Sequence, residues 1–348
     1  FERNISKKLK IKYAVACINC TAALHLSIKL LEPQQGDEII VPTLSFVATI
    51  NPIIYNNCSP IFMDCDEKFL IDIDKTSDFL EHQTYVKKGY CYNKKTNKKI
   101  IAIIVVNTFG NSADFNKKFL NICRAKNIKI IEDAAESLGA FYKKGLKKIH
   151  TGTIGEIGCL SFNGNKLVTS GGGGMIITNK KKLAIKAKYL STQAKNNSDF
   201  FVHDEVGYNY RLSNLHAAIG NAQLQNLKKI IDKKKFIHKT YKELINRIKG
   251  LKILSEPKHS LSNYWLNILI IDKQKYGLSK KKVMQILKKN GIETKSVWQP
   301  NHLQKPFLKF QKYRISTSTK IYKKSMCLPS SYNLSLNQIK MIVKILKK

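Results

Sequence analysis

Apolar segments with the spacing of strands alternate with amphipathic segments through the first two-thirds of the chain. Strands are predicted at 38–42, 61–64, 100–106 and 128–131, and helices at 46–55 and 114–126. The run at 100–106 is apolar throughout, which is typical of a parallel strand that is covered on both faces. A βαβα order of this kind predicts an α/β fold whose sheet is mostly parallel.

The last third of the chain has a different pattern. From Ser213, apolar residues recur at helical spacing in one long stretch that continues to about 248. A strand at 264–271 follows, then a helix that Ser279 caps and that closes near 290–291, and two further helical stretches. The change predicts a large α/β domain over 1–235, with an insertion at about 68–99, and a smaller α+β domain over 236–348.

Lysine and arginine outnumber the acidic residues by 61 to 24, which gives a net charge of +37. Nucleic acid is the obvious partner for such a surplus, but the basic residues are scattered and mostly lysine, without a basic arm or zinc-finger spacing. The scattered pattern favours lysines on solvated faces without a specific role. A second interpretation of the positive charge is that it attracts a small anionic substrate. We therefore predict no nucleic-acid partner.

No segment has the pattern of a signal peptide, and the longest apolar run, 100–106, is far shorter than the about 20 residues of a membrane span. Eight cysteines without a secretion signal indicate a reducing compartment. No His/Cys cluster has the spacing of a metal site. We predict a cytoplasmic protein without metal or membrane contact. Since the chain starts at Phe1 and not at Met, some N-terminal sequence is expected to precede it.

The segment 158–174 carries the strongest chemical signal. A strand-like stretch leads to Ser161, Lys166 follows five residues later, and four glycines occupy 171–174. Glycines let backbone approach a ligand closely, a hydroxyl can hold a phosphate, and an amine can bond to a carbonyl of the same ligand. That combination suits pyridoxal phosphate bound through a Schiff base. A glycine-rich surface loop or a nucleotide phosphate loop stays open on this segment alone, although Gly-x-x-x-x-Gly-Lys-Ser/Thr does not occur there.

Three further places fit the same cofactor. Asp133 follows the predicted strand 128–131, where α/β folds place ligands, and its carboxylate could keep a pyridine nitrogen protonated. Thr21 and Ala22 begin a helix whose free amides suit a phosphate. Phe46 lies just beyond a strand end and could stack on an aromatic ring. Each of these residues could instead be an ordinary helix cap or core side chain. Only their combination favours a cofactor site.

With these residues assembled, the chain closely resembles the sugar-nucleotide aminotransferases of the DegT–StrS type. The matching motifs are C-T-A-A-L-H-L at 20–26, G-D-E-I-I-V-P-T at 36–43, I-I-E-D-A-A-E-S-L-G at 130–139, the segment 161–174, and G-Y-N-Y-R at 207–211. The resemblance implies the aspartate aminotransferase-like fold (fold type I) of enzymes that depend on pyridoxal phosphate, working as a homodimer. Two positions depart from the family pattern, since Cys20 stands where Gly is usual and Gly172 where many relatives carry Glu.

The resemblance implies catalytic roles for two residues, Lys166 as the Schiff-base lysine and Asp133 as the partner of the pyridine nitrogen. The remaining cofactor contacts that it implies are Thr21, Ala22 and Ser161 at the phosphate, Phe46 on the ring, Glu136 near the ring oxygen or the substrate, and Asn209 reaching the phosphate from the neighbouring subunit.

A narrower likeness concerns the substrate. Segments 61–66, 89–96, 161–166 and 298–306 look like those of a subset that aminates 4-keto-6-deoxy-2-acetamido nucleotide sugars on the route to N-acetylbacillosamine and legionaminic acid. This implies a UDP- or GDP-linked 4-keto sugar and L-glutamate as the amino donor. Candidate substrate contacts are Arg211, Trp298 and His302, of which the last two could equally be packing residues. The alternatives are a perosamine-type keto sugar, GDP-4-keto-6-deoxymannose, and a non-catalytic regulator that keeps the fold.

Overall fold

The computed structural model describes residues 1–197 and 199–347. Its helices are α1 (Glu2–Leu9), α2 (Cys20–Lys29), α3 (Asn51–Tyr55), α4 (Ile73–His82), α5 (Lys117–Ala125), α6 (Lys181–Ser191), α7 (Asn214–Gln225), α8 (Leu227–Ile245), α9 (Lys273–Tyr276), α10 (Lys280–Lys289), α11 (Thr317–Lys324) and α12 (Leu336–Leu346).

The strands are β1 (Tyr13–Cys17), β2 (Glu38–Pro42), β3 (Ser59–Met63), β4 (Thr84–Lys87), β5 (Tyr90–Asn93), β6 (Lys99–Val106), β7 (Lys129–Asp133), β8 (Phe141–Lys144), β9 (Lys147–His150), β10 (Ile157–Ser161), β11 (Gly174–Thr178), β12 (Lys195–Asn197), β13 (Val202–His203), β14 (Leu251–Ile253), β15 (Ser260–Leu261), β16 (Asn267–Ile271), β17 (Lys295–Ser296), β18 (Lys312–Tyr313) and β19 (Ser325–Leu328).

The largest sheet has the strand order β1-β11-β10-β7-β6-β2-β3-β18. Each pair of adjacent strands from β10 to β18 in this order is parallel, whereas β11 is antiparallel to both β1 and β10. The strands β2, β10 and β11 are buried along their whole length, which is why their sequences are apolar without alternation. The predicted α/β fold with a mostly parallel sheet is confirmed.

Residues 68–99 add α4 and the antiparallel hairpin β4–β5 to this sheet. Strand β5 pairs with the beginning of β6, where Cys91 lies opposite Ile100. The buried Asn93 side chain donates a hydrogen bond to Glu38 Oε2 at 2.8 Å, at the first residue of β2. The inserted segment is therefore fastened at the amino ends of the central strands and lies away from their carboxyl ends.

A second sheet, β14-β16-β19-β17, forms in the last third of the chain, and its neighbouring strands are antiparallel. Helices α8, α10 and α12 cover it around a core that includes the fully buried Tyr241, Leu269 and Met326. Strand β18 leaves this region and joins the edge of the main sheet beside β3. None of the described helices combines the length and the hydropathy needed to cross a membrane.

Asp64 links the main sheet to α11. Its fully buried side chain follows β3 and accepts hydrogen bonds from Lys75 Nζ at 2.6 Å and from the amides of Thr317 and Ser318 at 2.8 and 2.9 Å. Burial alone would raise the pKa of Asp64, but Lys75 and these amides outweigh burial and hold the pKa below its ordinary value. One carboxylate thus caps the amino end of α11 and fixes it against the main sheet.

Several predicted helices differ from the structure in their bounds. The long helix predicted from Ser213 is interrupted at Asn226, whose side chain donates to Ala222 O at 3.3 Å and whose amide bonds to Gln223 O, only three residues back. An asparagine that bonds locally in this way tightens the helix, so that α7 and α8 are separate. The helix predicted at 46–55 is a 3₁₀ turn (Val47–Thr49) followed by the short α3.

The strand predicted at 264–271 begins only at Asn267. Tyr264 has a φ of 54°, in the left-handed region, so the backbone cannot continue there as a strand. The amide of Trp265 bonds to Asn263 Oδ1 at 2.9 Å instead of to a neighbouring strand. The strand prediction was wrong for residues 264–266, and the loop that replaces it carries Trp265 toward the main sheet.

Candidate active site

The carboxyl ends of β6, β7 and β10 border a cavity of about 950 Å³. Its opposite wall comes from segment 291–298 and from the residues around the end of β19. The predicted site residues that line it are Thr21, Phe46, Asp133, Glu136, Ser161, Lys166 and Trp298. Ligands bind at this end of the strands in parallel α/β sheets, so the cavity is the candidate active site.

Asp133, the last residue of β7, lies at the bottom of the cavity. Thr49 Oγ1 donates a hydrogen bond to its Oδ2 at 2.7 Å, and the amide of Ala135 donates to its Oδ1 at 3.1 Å. Burial raises the pKa of the Asp133 carboxyl, while these two donors and Lys166 oppose that shift. A carboxylate can accept about four hydrogen bonds, so Asp133 retains capacity for a donor on a ligand.

Lys166 places its amine inside the same cavity. Its Nζ lies 3.9 Å from Glu136 Oε1, and its side chain is only 13% exposed. Glu136 Oε2 accepts a hydrogen bond from the amide of Phe109 at 2.7 Å. Burial raises the pKa of Glu136 to about 7, against the opposing effects of Lys166 and of that amide. Glu136 can therefore hold or release a proton near neutral pH, close to the lysine amine.

The amino end of α2 forms one side of the cavity. The helix begins at Cys20, and the Asn19 side chain caps it by accepting a hydrogen bond from the amide of Ala22 at 2.8 Å. The Ala22 amide thus has a partner within the chain, while Cys20 and Thr21 line the cavity. The positive end of the helix dipole and the first amides of α2 still favour an anion at this position.

Strand β11 passes directly beneath this helix end, which explains a glycine at position 174. A Cβ on Gly174 would lie 2.3 Å from the carbonyl carbon of Asn19 and 2.5 Å from the amide nitrogen of Cys20. Such distances leave no room for any other residue type. Because Gly174 is also paired with Ser161 in the neighbouring strand, the Ser161 hydroxyl is brought to the same side as the helix end.

Phe46 and Trp298 form an aromatic wall. The Phe46 side chain is 54% exposed, and its ring centroid lies 6.3 Å from that of Trp298. The Trp298 ring in turn stacks on Phe109, with 4.8 Å between the ring centroids and 24° between the planes. An exposed ring held in this way can stack on a heteroaromatic ligand.

The other predicted residues lie elsewhere. Asn209 and Arg211 are exposed, and each forms an isolated β-bridge, Asn209 with Thr192 and Arg211 with Cys17. His302 is buried, its Nδ1 lies 2.7 Å from Thr43 Oγ1, and burial lowers its pKa. Among the described residues, Trp298 lines the cavity and His302 does not.

Thr49 and Trp265 border the cavity and contact predicted site residues, but they were not predicted from the sequence. Thr49 donates to Asp133, and the ring of Trp265 lies beneath the Lys166 amine, with Nζ 4.1 Å from the ring centroid. The sequence indicates only weakly that Thr49 lies at the cavity. It follows Phe46 by three residues, so the two side chains share one face of the 3₁₀ turn. No sequence pattern places Trp265 at the cavity, because it lies in the segment that was predicted to be a strand.

The residues present fit pyridoxal phosphate. A lysine amine and a buried carboxylate with remaining hydrogen-bond capacity line the same cavity, and a helix amino end with a neighbouring serine hydroxyl lies to one side. These are the groups that an aldehyde, a pyridine nitrogen and a phosphate require. The exposed ring of Phe46 adds a surface on which a pyridine ring can stack.

Comparison with known sequences agrees with this reading. The sequence model of the DegT/DnrJ/EryC1/StrS aminotransferase family matches residues 1–347. EpsN of Bacillus subtilis, classed with the pyridoxal phosphate-dependent aminotransferases, is 33% identical over 350 residues, covering 99% of this chain and 86% of EpsN. GDP-perosamine synthase of Vibrio cholerae is 31% identical over 349 residues, covering 100% of this chain and 89% of that enzyme.

Solved structures share the fold. An aminotransferase of the same family from Brucella abortus superposes with a TM-score of 0.88 at 22% identity, over 99% of this chain and 88% of that one. PseC of Helicobacter pylori, an aminotransferase involved in the biosynthesis of pseudoaminic acid, gives a TM-score of 0.85 at 22% identity, over 99% of this chain and 90% of PseC.

Proposed function

Because this chain belongs to the DegT/DnrJ/EryC1/StrS aminotransferase family, we propose that it transfers the amino group of L-glutamate to the C4 ketone of a nucleotide-linked 4-keto-6-deoxy sugar, giving a 4-amino sugar nucleotide. Family membership makes the protein an enzyme that uses pyridoxal phosphate. The observation that carries the proposal is the Lys166 amine, which lies 3.9 Å from Glu136 Oε1 in the cavity that the buried Asp133 also lines.

Pyridoxal phosphate, when bound, supplies an electron-withdrawing ring that stabilises the negative charge left on a substrate carbon after its proton is removed. Asp133 would face the ring nitrogen and keep it protonated. The α2 amides and the Ser161 hydroxyl would hold the phosphate, and Phe46 would cover a ring face. In the half-reaction with the amino donor, the free Lys166 amine would accept a proton at Nζ from the donor's α carbon, and in the half-reaction with the sugar it would deliver a proton to the sugar's C4, so one residue serves as base and as acid.

Glu136 would set the protonation around the lysine. Its pKa of about 7 means that both of its forms are populated near neutral pH. Its Oε2 is fixed by the Phe109 amide, so the oxygen nearest Lys166, Oε1, is the one that can receive or give a proton. This arrangement suits a residue that balances the charge of the lysine as the lysine gains and loses its proton.

Two sugar classes are candidates for the substrate. The motifs at 161–166 and 298–306 favour a 2-acetamido-4-keto-6-deoxy sugar, linked to UDP or GDP. The identity with GDP-perosamine synthase supports GDP-4-keto-6-deoxymannose to the same degree. Trp298, at the cavity wall beside Phe46, is the candidate contact for the sugar.

We further propose that the enzyme is a homodimer in which the segment around Asn209 and Arg211 enters the partner's site. Large apolar side chains are exposed on both sides of that segment, at Phe201, Val206 and Leu215. Burying such side chains against a second copy is favourable. Asn209 would then reach the phosphate site of the other subunit, and Arg211 its substrate.

The test of the function is the visible spectrum of the purified protein with and without borohydride, for wild type and Lys166→Ala. A yellow wild type that borohydride bleaches and labels at Lys166, with no label in the variant, supports the proposal. Incubation with glutamate and each UDP- or GDP-linked keto sugar then identifies the substrate class. A wild type that binds the cofactor covalently but aminates no keto sugar would support the non-catalytic alternative and overturn the proposal.

A further inference from the structure

The Lys166 amine has an aromatic surface beneath it that no predicted role accounts for. Its Nζ lies 4.1 Å from the centroid of the Trp265 ring, within the range of a cation–π interaction, and 3.9 Å from Glu136 Oε1. Trp265 is 6% exposed, so this interaction is largely shielded from water. Desolvation strengthens the attraction between an ammonium group and an aromatic face.

The polar groups of Trp265 are each held by a different part of the chain. Its amide donates to Asn263 Oδ1 at 2.9 Å, its carbonyl oxygen accepts from Lys234 Nζ at 2.8 Å, and its indole Nε1 donates to the carbonyl oxygen of Asn165 at 2.9 Å. The buried Lys234 also donates to the carbonyl oxygen of Ser330. The ring is thereby fixed in position and orientation before any ligand binds.

Asn263 connects this ring to the loop that carries Glu136. Its Nδ2 donates to the carbonyl oxygens of Glu136 at 2.8 Å and Leu138 at 3.0 Å, and its amide donates to Gly110 O at 3.2 Å. Gly110 has a φ of +86°, and a Cβ there would lie 1.8 Å from Asn263 Oδ1. The ring and the carboxylate that flank the lysine amine therefore belong to one hydrogen-bonded frame.

A second cavity, of about 660 Å³, lies on the other side of this frame. Asn165, Lys166 and Trp265 line both cavities, so they form the wall between them. A lysine at a shared wall could turn into either space. The contact with the Trp265 ring keeps its amine on the side where Asp133 and Glu136 lie.

We propose that Trp265 is a positioning residue that holds the Lys166 amine whenever that amine is not bonded to the cofactor. The inference rests on the proposed function, in which Nζ takes up a proton from the amino donor in one half-reaction and gives a proton to the sugar in the other. The proton makes the amine an ammonium group, which the indole face and Glu136 attract from two sides. When Nζ gives the proton up, the attraction weakens and the amine is released for bonding.

The test uses the apoprotein, in which Lys166 is free. We would measure the rate at which an amine-reactive reagent, trinitrobenzenesulfonate, labels Lys166 in wild type and Trp265→Leu, with quantification by peptide mass spectrometry. Such reagents need access to the amine, and the indole face covers it. We expect labelling of Lys166 to be roughly tenfold faster in Trp265→Leu.

Tyr90→Leu is the matched control. Lys99 Nζ lies 4.2 Å from the Tyr90 ring centroid on the exposed hairpin, so this variant removes a lysine–aromatic contact of similar length far from the cavity. Labelling of Lys166 should stay at the wild-type rate there. An unchanged Lys166 rate in Trp265→Leu would overturn the proposal.

Trp265→Phe separates the aromatic face from the indole hydrogen bond. It keeps a ring but cannot donate to Asn165, and its Lys166 labelling should fall between wild type and Trp265→Leu. If the leucine variant does not fold, Trp265→Phe alone tests the proposal. Its Lys166 labelling rate should be roughly twofold above that of the wild type, because phenylalanine binds a cation less well than tryptophan. If the leucine variant does not fold, a wild-type labelling rate in Trp265→Phe would overturn the proposal. If the leucine variant folds, an equal labelling rate in Trp265→Phe and Trp265→Leu would overturn it.

A second measurement addresses the loaded enzyme. In steady-state turnover with glutamate as the amino donor, Trp265→Leu should show a roughly tenfold lower kcat with the KM for glutamate unchanged, and Trp265→Phe should recover part of the loss. A rise in KM with kcat unchanged would overturn the positioning role. Failure of the wild type to react with glutamate would instead contradict the proposed function. The labelling of the apoprotein would still test the contact between Trp265 and Lys166, because it does not depend on turnover.

Discussion

Glu132 and Asp133 are neighbours at the end of β7, both are buried, and their side chains point to opposite faces of the sheet. Glu132 accepts hydrogen bonds from the amides of Gly152, Ile154 and Gly155 at 2.6 to 2.7 Å, and one from the side chain of Asn107. Asp133 has two donors, Thr49 and Ala135, and borders the cavity. Burial raises the pKa of both carboxyl groups.

The difference lies in what the chain leaves for a ligand. About four hydrogen bonds saturate a carboxylate, and Glu132 receives all of them from its own fold. Asp133 receives half of that number and retains lone pairs toward the cavity. A buried carboxylate that receives all of its hydrogen bonds from the chain stabilises the fold. A buried carboxylate that receives only some of them is prepared to bind a positively charged group.

Asp133→Asn should produce the largest change. An amide cannot keep a pyridine nitrogen protonated, so we expect kcat with glutamate and keto sugar to fall by roughly 10²–10³-fold. The free energy of unfolding of the apoprotein should stay unchanged or rise slightly, because a desolvated charge is removed. Steady-state kinetics and urea unfolding measure the two effects, and a large loss of stability would contradict the distinction between the two carboxylates.

Glu132→Gln should have the opposite profile. Its amide group would direct N–H bonds at amides that also donate, so we expect the free energy of unfolding to fall by about 3 kcal/mol, while the folded fraction keeps its kcat within about twofold. Glu156→Gln is the control, since Glu156 pairs with Lys180 at the surface and its loss should cost less than about 1 kcal/mol. Urea unfolding of both variants provides the measurement.

Glu136 lies between these two cases and should make stability depend on pH. Its pKa is raised from the ordinary 4.5 to about 7, so between these values the folded protein holds a proton that the unfolded chain has lost. The stability contributed by this group is therefore present below pH 4.5 and is lost as the pH rises toward 7. Relative to Glu136→Gln, the wild-type apoprotein should lose about 2 kcal/mol between pH 5 and pH 7. Equal pH profiles for the two proteins would refute the raised pKa.

Thr49→Val should produce the smallest change. It removes one of the two donors to Asp133 and nearly preserves volume, so kcat should fall by about fivefold, equivalent to roughly 1 kcal/mol for one hydrogen bond. Thr49→Ser retains the hydroxyl and should keep most of the activity. A serine variant as slow as the valine variant would show that packing, and not the hydrogen bond, accounts for the effect.

The sequence predicted the residues whose chemistry is tied to local position. Asp133 ends a strand, Thr21 and Phe46 follow strands, and Lys166 stands between a strand and a glycine run, so each could be placed from its immediate neighbours. The mostly parallel sheet was predictable for the same reason, because buried parallel strands such as β6 and β10 are apolar without alternation.

Residues whose role depends on distant packing could not be predicted. Thr49 meets Asp133 across 84 positions of sequence. Trp265 reaches Lys166 only because Tyr264 turns into the left-handed region and breaks the predicted strand. Glu132 belongs to the same E-D motif as Asp133, and no local pattern distinguishes the acid that the fold saturates from the acid that it leaves for a ligand.

The order of the main sheet has a consequence for synthesis on the ribosome. Strand β1 leaves the exit tunnel long before β11, its partner in the sheet, and β18, which closes the far edge of the sheet, follows later still. At the about 5–20 residues per second of translation, β1 waits on the order of ten seconds or more for β11. During that interval the nascent chain carries an unpaired apolar strand, which makes it a candidate client for chaperones that bind emerging polypeptides.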